Sequence, residues 1–164
     1  MKEVIIYTDG SARGNPGPGG YGAVLLSGTH KKELKAGFKK TTNNRMELLA
    51  AIVAIESLNQ ACKVTVFTDS KYVSNAMTEG WIHGWRQKGW SRGPNKPLKN
   101  KDLWQRLYDA IVIHKMEWKW VKGHAGNPNN ERCDYLATFA AQSPNRVEDT
   151  GFIQQLEDEE NGLL

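Results

Sequence analysis

Cysteine is scarce: Cys62 and Cys133 are the two in the chain, too few for a disulfide framework, so reduced structural thiols are expected. No apolar run approaches the roughly 20 residues that cross a bilayer. The opening Met1-Lys2-Glu3 leads straight into a strand rather than a charged-then-apolar leader. A soluble, cytoplasmic protein without membrane association is the expectation. Charge is missing in a patterned way. Between Lys71 and Lys101 seven Lys/Arg residues stand against one acid, Glu79, whereas from Val147 to Leu164 six acids stand with no Lys or Arg. A middle segment this basic, interleaved with aromatics, points to a polyanion partner. The acidic end, from about Glu148, lacks a core pattern and reads as loosely held. At 164 residues the rest fits one domain with a sizeable core.

Within that domain the chain is organised around Tyr7-Thr8-Asp9-Gly10-Ser11. Val4 to Tyr7 form a buried-type strand, and Asp9 arrives where the backbone prepares to turn at Gly10. An Asp before Gly is also an ordinary turn initiator. A second copy favours a site: Val64 to Phe67 is another apolar strand, and it too ends in aromatic-Thr-Asp at Phe67-Thr68-Asp69. Tyr21 to Leu26 and about Lys32 to Lys39 read as further strands in an antiparallel meander. Met46 to Leu58 is a helix apolar nearly all round, hence central. The strand at residues 64–68 lies parallel to the first across that helix.

Helical pieces broken at Gly80 and Gly84, a loop at residues 93–97, a helix at 101–114, a strand at 116–121 and a helix at about 129–142 complete the reading. The expected fold is α/β, a five-stranded mixed sheet flanked by helices, with strands 1–3 antiparallel and strands 4 and 5 parallel to strand 1. In such sheets ligands gather at the carboxyl ends of parallel strands, so Asp9 and Asp69 are expected to be neighbours.

Two further acids fall on apolar stripes. Glu47 shares a helix face with Ala50, Ala51 and Ala54, which is expensive unless something pairs with it, although helix-end stabilisation is a simpler use for it. Asp134 opens the last helix on the face of Ala137 and Ala141, just after the glycine-hinged His124. Four converging carboxylates raise one another's pKa, and divalent cations would neutralise them. Oxygen donors without a cysteine pair indicate hard ions, Mg²⁺ or Mn²⁺, rather than zinc. A paired site of that kind suits in-line phosphoryl displacement.

The ordered motifs Tyr-Thr-Asp-Gly-Ser, Thr-Asn-Asn-Arg-Met-Glu-Leu, Thr-Asp-Ser-Lys-Tyr-Val, Trp-Val-Lys-Gly-His-Ala-Gly and Asn-Glu-Arg-Cys-Asp resemble those of bacterial type 1 ribonucleases H, over residues 3 to about 151. The resemblance implies cleavage of the RNA strand of RNA/DNA hybrids with two Mg²⁺ ions, leaving 3′-hydroxyl and 5′-phosphate ends. It implies Asp9, Glu47, Asp69 and Asp134 as metal ligands, Asp9 bridging both ions, and His124 as an aid to proton transfer or product release. By the same resemblance Gly10, Ser11, Asn15, Asn43 and Asn44 would line the minor groove, reading 2′-hydroxyls. Lys71, where relatives often carry Gln, would contact a 2′-hydroxyl or a phosphate.

Thr42 and Asn100 resemble a phosphate-holding pocket for the DNA strand, and Tyr72 and Trp81 an aromatic channel for deoxyribose. Asn43 and Asn44 also suit simple helix capping, and Trp85 suits an anchor for the basic arm. Residues 1–147 are then the ribonuclease H domain, with a basic protrusion at about 80–99, and 148–164 an acidic, flexible tail. No obligatory protein partner is expected, and the protein should be a monomer.

Overall fold

The computed structural model describes residues 1–162. Its centre is helix α1 (Asn43–Glu56), which has almost no solvent-facing side because β-strands cover one face and another helix the other. Thr42 caps it, its side chain accepting from the Arg45 amide at 3.2 Å. The strands are β1 (Lys2–Ala12), β2 (Gly17–Ser27) and β3 (His30–Thr41) before α1, and β4 (Cys62–Thr68) after it. Next come α2 (Lys71–Thr78), α3 (Trp81–Gln87), the short strands β5 (Ser91–Gly93) and β6 (Lys96–Pro97), and α4 (Lys101–Ile111). β7 (Lys115–Trp120), α5 (Pro128–Ala141) and α6 (Thr150–Glu160) complete the chain.

The main sheet has the order β3-β2-β1-β4-β7; β1, β2 and β3 are mutually antiparallel, and β4 and β7 run parallel to β1. This is the expected five-stranded mixed sheet. α1, with α4 packed on its outer side, covers one face and α5 the other. Alternation along β4 and the continuous burial of β2 supply the sheet's share of the core, including Ile6, Val24, Val64 and Val66.

Four segments differ from expectation. The chain does not turn at Gly10: β1 runs on to Ala12, with Gly10 paired to Tyr21 of β2. Gly84 does not break a helix but lies inside α3, where nothing crowds it. Residues expected as a loop at 93–97 contribute to the β5–β6 hairpin, because Gly93 at φ 137° and Asn95 at φ 57° make the tight reversal. The largest correction concerns the acidic end. Residues 150–160, expected to be flexible tail, form α6, and the helix is docked. Asp149 caps it through the Phe152 amide (3.1 Å) and accepts from Thr41 Oγ1 (2.7 Å) and from Arg45 Nε and Nη2 (2.9 and 3.1 Å). Phe152 and Gln155 are buried beneath it; of the acids that suggested disorder, Asp149 is the buried cap, Glu157 and Glu160 face solvent, and Glu159 reaches Lys99 Nζ at 3.8 Å.

Candidate active site

Strand register places the first two acids. Thr8 of β1 pairs with Thr68 of β4 in parallel, so the next residues, Asp9 and Asp69, emerge side by side at the same edge. Glu47 reaches them because α1 crosses directly over β1. A Cβ on Gly10 would collide with the Glu47 amide nitrogen and the Met46 carbonyl carbon, so a side chain there would force the helix away. One carboxylate oxygen from each of Asp9, Glu47 and Asp69 lies within 4.8 Å of the other two. Asp134, on α5, lines the same cleft but stands outside that tight group.

The electrostatics follow from this crowding. Burial, then the Asp69 charge and then Asp134, push the Asp9 carboxyl up to about 8, against the help of the Gly10 amide bonded to its Oδ1 at 2.9 Å. Glu47 is pushed well above the usual carboxylate range, by burial first and then by Asp9 and Asp69. Its Oε1 is buried without any hydrogen-bond partner among the described residues. A buried oxygen of this kind, beside two more carboxylates, is a donor awaiting a cation. The donor set is all oxygen, which suits a hard divalent ion.

The surrounding cleft, of about 460 Å³, gathers Gly10, Ser11, Asn43, Asn44, Lys71, Tyr72 and His124 around the acids. His124 is exposed on the loop between β7 and α5 and has a left-handed backbone, φ 56°. The neighbouring Gly123 lets this loop approach Asp69, since a Cβ there would lie 2.7 Å from Asp69 Oδ2. Four expected site residues lie outside the cleft lining. Asn15 is close by, its Oδ1 accepting from the Asn43 amide at 3.2 Å. Thr42 is the α1 cap, Trp81 is half exposed with its ring 6.5 Å from that of Trp85, and Asn100 is buried behind Tyr72. Trp85 anchors the arm, its ring 5.0 Å from the buried Trp104.

Two contributors were not singled out from sequence. Ser70 lines the cleft and caps α2 through the Val73 amide. Trp120 donates its indole N–H to the Asp69 carbonyl at 3.0 Å and carries Lys71 Nζ over its ring at 4.9 Å. Its place at the end of β7, next to the strand that delivers Asp69, was the available signal.

The RNase H family model matches residues 1–142. Ribonuclease H from Edwardsiella ictaluri (strain 93-146) is 57% identical over 152 residues, covering 93% of this chain and 97% of that protein. Among solved structures, LC9-RNase H1, a type 1 RNase H with the type 2 active-site motif, aligns with a TM-score of 0.77 at 34% identity, over 86% of this chain and 72% of that one. LC11-RNase H1, solved in complex with an RNA/DNA hybrid, aligns with a TM-score of 0.62 at 26% identity, over 84% and 96%. A mixed sheet with carboxylates at its parallel strand ends is thus the ribonuclease H class of fold. The chain belongs to the ribonuclease H family as a bacterial type 1 member, and so to the nucleases.

Proposed function

We propose that this protein is an endonuclease that hydrolyses the RNA strand of RNA/DNA hybrids, using divalent ions held by Asp9, Glu47, Asp69 and Asp134. The carrying observation is the trio of carboxylates within 4.8 Å, one with an orphaned buried oxygen, in a member of this family. The complex of LC11-RNase H1 with an RNA/DNA hybrid supports the substrate class. Mg²⁺ is the favoured ion, with Mn²⁺ as a substitute, because the donors are hard oxygens. Such ions, if held by Asp9, Glu47, Asp69 and Asp134, would supply Lewis-acid activation of water and of the scissile phosphate.

The protein's own groups do the rest. The carboxyls of Asp9 and Glu47, pushed upward by burial and by their acidic neighbours, would give up protons as divalent ions bind. His124, exposed on its glycine-flanked loop, is placed to accept or deliver a proton at the rim and to assist product departure. Gly10, Ser11, Asn15, Asn43 and Asn44 present small amides and hydroxyls, which donate and accept, to 2′-hydroxyls of the RNA strand. Lys71 takes a phosphate or a 2′-hydroxyl beside the cut. Tyr72, Trp81, Thr42 and Asn100 receive the DNA strand, and the arm residues Arg86, Lys88, Arg92, Lys96 and Lys99 hold phosphates beyond it.

The products are 3′-hydroxyl and 5′-phosphate ends, and no covalent intermediate is required. A monomer in the cytoplasm that clears RNA primers and R-loops is the corresponding cellular reading; no helix among the described residues is long and apolar enough to cross a membrane. The test is Mg²⁺-dependent cleavage of matched RNA/DNA, RNA/RNA and DNA/DNA duplexes, each strand labelled in turn. Cutting confined to the RNA strand of the hybrid is expected. Cutting of DNA, or tight hybrid binding without cutting, would overturn the proposal.

A further inference from the structure

Helix α6 ends its docking on Asn100, a buried residue proposed above to help receive the DNA strand. The Asn100 amide nitrogen, buried, donates to Oε1 of the buried Gln155 at 2.7 Å. Asn100 stands immediately before α4 in a left-handed conformation, φ 60°, ψ 29°, and its side chain makes no capping bond to that helix. An Asn in this place ordinarily sits extended and turns its side chain oxygen to the first amides of the helix. Here the side chain is turned away instead. Its Nδ2 donates to the Tyr72 hydroxyl at 3.0 Å, and its Oδ1 lies 3.4 Å from Arg45 Nη1.

The Asn100 side chain therefore has two alternative uses, capping α4 or holding Tyr72, and the backbone conformation decides between them. Asparagine adopts the left-handed conformation more readily than most residues, so a modest local contact can decide whether it does. The Gln155 acceptor is such a contact, because any rotation of the backbone out of this conformation leaves a buried N–H unsatisfied. The position of Gln155 is itself fixed: a Cβ on Gly151, one turn earlier, would collide with Asp102 Oδ2, so α6 lies as close to the Arg45–Asp102 pair as a backbone can.

Tyr72 is the wall between two spaces. It lines the acidic cleft, and it lines the adjoining cavity of about 510 Å³ that also presents Arg92 and Lys99 of the basic arm. Its hydroxyl accepts from Asn100 Nδ2 and from Trp104 Nε1, 3.2 Å away. We infer that Gln155 is a positioning residue for substrate: by holding Asn100 left-handed it fixes Tyr72 and Asn100 where the DNA strand passes from the catalytic cleft to the basic arm. The inference rests on the proposed hybrid substrate.

The experiment uses the full chain and compares wild type, Gln155→Leu, Asn100→Gly and the double variant in steady-state cleavage of an RNA/DNA hybrid, well below the melting temperature of each. Gln155→Leu removes the acceptor while keeping an apolar side chain of similar bulk. It should raise KM roughly 3- to 10-fold and leave kcat within about twofold. Asn100→Gly has no side chain to position and adopts the left-handed conformation freely. In that background Gln155→Leu should therefore leave KM unchanged. An unchanged KM in the single variant overturns the inference, as does an equal rise in the Asn100→Gly background, which marks a general packing role. If wild type does not cut the hybrid, the functional proposal itself has failed, and this inference with it.

Discussion

Replacing Asp149 by Ala removes the carboxylate that ties α6 to the body of the domain. In wild type both oxygens are fully used: Oδ1 accepts from Arg45 Nη2 and the Phe152 amide, and Oδ2 from Arg45 Nε and Thr41 Oγ1, at 2.7–3.1 Å. Arg45 is almost entirely buried within α1. Burial alone would lower its guanidinium pKa, but the bonds to Asp102 and Asp149 reverse this and hold it above its ordinary value. Breaking a buried ion pair from one side costs about 3–5 kcal/mol. Asp102 still grips Arg45 through two bonds, at 2.8 and 2.7 Å, so the cation is not left alone and the lower end applies. The lost α6 cap typically adds about 1 kcal/mol. The expected loss is therefore about 3–4 kcal/mol, a fall of about 6–16 °C in Tm for a domain of this size.

Urea unfolding followed by circular dichroism measures it. Asp149→Asn, which can keep the cap and a partner for Thr41, should lose less. Asp102→Ala should also lose less, since Asp102 is about half exposed and Arg45 keeps its buried partner. A loss below about 1 kcal/mol for Asp149→Ala, within the range of an exposed pair, would refute the reasoning. So would an equal loss for Asp102→Ala.

Asp9→Asn should abolish hybrid cleavage and yet stabilise the protein in EDTA at pH 7, by roughly 2–4 kcal/mol. The sign follows from the raised carboxyl, at about 8 in the folded protein against 3.8 when unfolded. The folded state holds this proton where the unfolded state has released it, so the group's contribution is fully present below about pH 4 and is lost as pH rises towards 8. The stability difference between variant and wild type should thus grow over that window; a flat difference would refute the coupling. Added Mg²⁺ should raise the wild-type Tm, by the equivalent of about 2.7 kcal/mol at 100 times Kd, and should do so far less in Asp9→Asn, as a thermal-shift titration will show. Lys96→Gln with Lys99→Gln should weaken hybrid binding and reduce the slope of log K against log salt by up to about 2; an unchanged slope would remove both from the phosphate contacts.

Why the acidic cluster was legible while the C-terminal helix was not has a physical answer in the range of the interactions. Asp9 and Asp69 each follow an apolar stretch in the same aromatic-Thr-Asp step, and parallel pairing of β1 with β4 at equal register turns that repeat into adjacency, although β1 itself runs on to Ala12. Glu47 betrays itself locally, as an acid set against the long apolar run from Leu48 to Ile55. These signals are contained in short segments plus one rule of sheet topology. The docking of α6 has no such local trace. Asp149 is 104 residues from Arg45 and 108 from Thr41, and Gln155 is 55 from Asn100. Read locally, residues 148–160 show acids and a weak apolar pattern, Phe152, Ile153 and Leu156, which is what a solvated end also shows.

One clue did stand in the sequence. Arg45 sits at the head of the most apolar helix in the chain, where a buried cation requires a buried anion. Glu47, two residues away, points to the cleft and takes no part, so the requirement had to be met by a distant acid. That demand could be inferred from composition and periodicity, but which of the distant acids answers it depends on where α4 and α6 land after the sheet and α1 have formed. The same dependence separates Gly10 from Gly151. Gly10 belongs to the recognisable Tyr7-Thr8-Asp9-Gly10-Ser11 stretch, whereas the need for glycine at 151 arises only from the approach of α6 to Asp102.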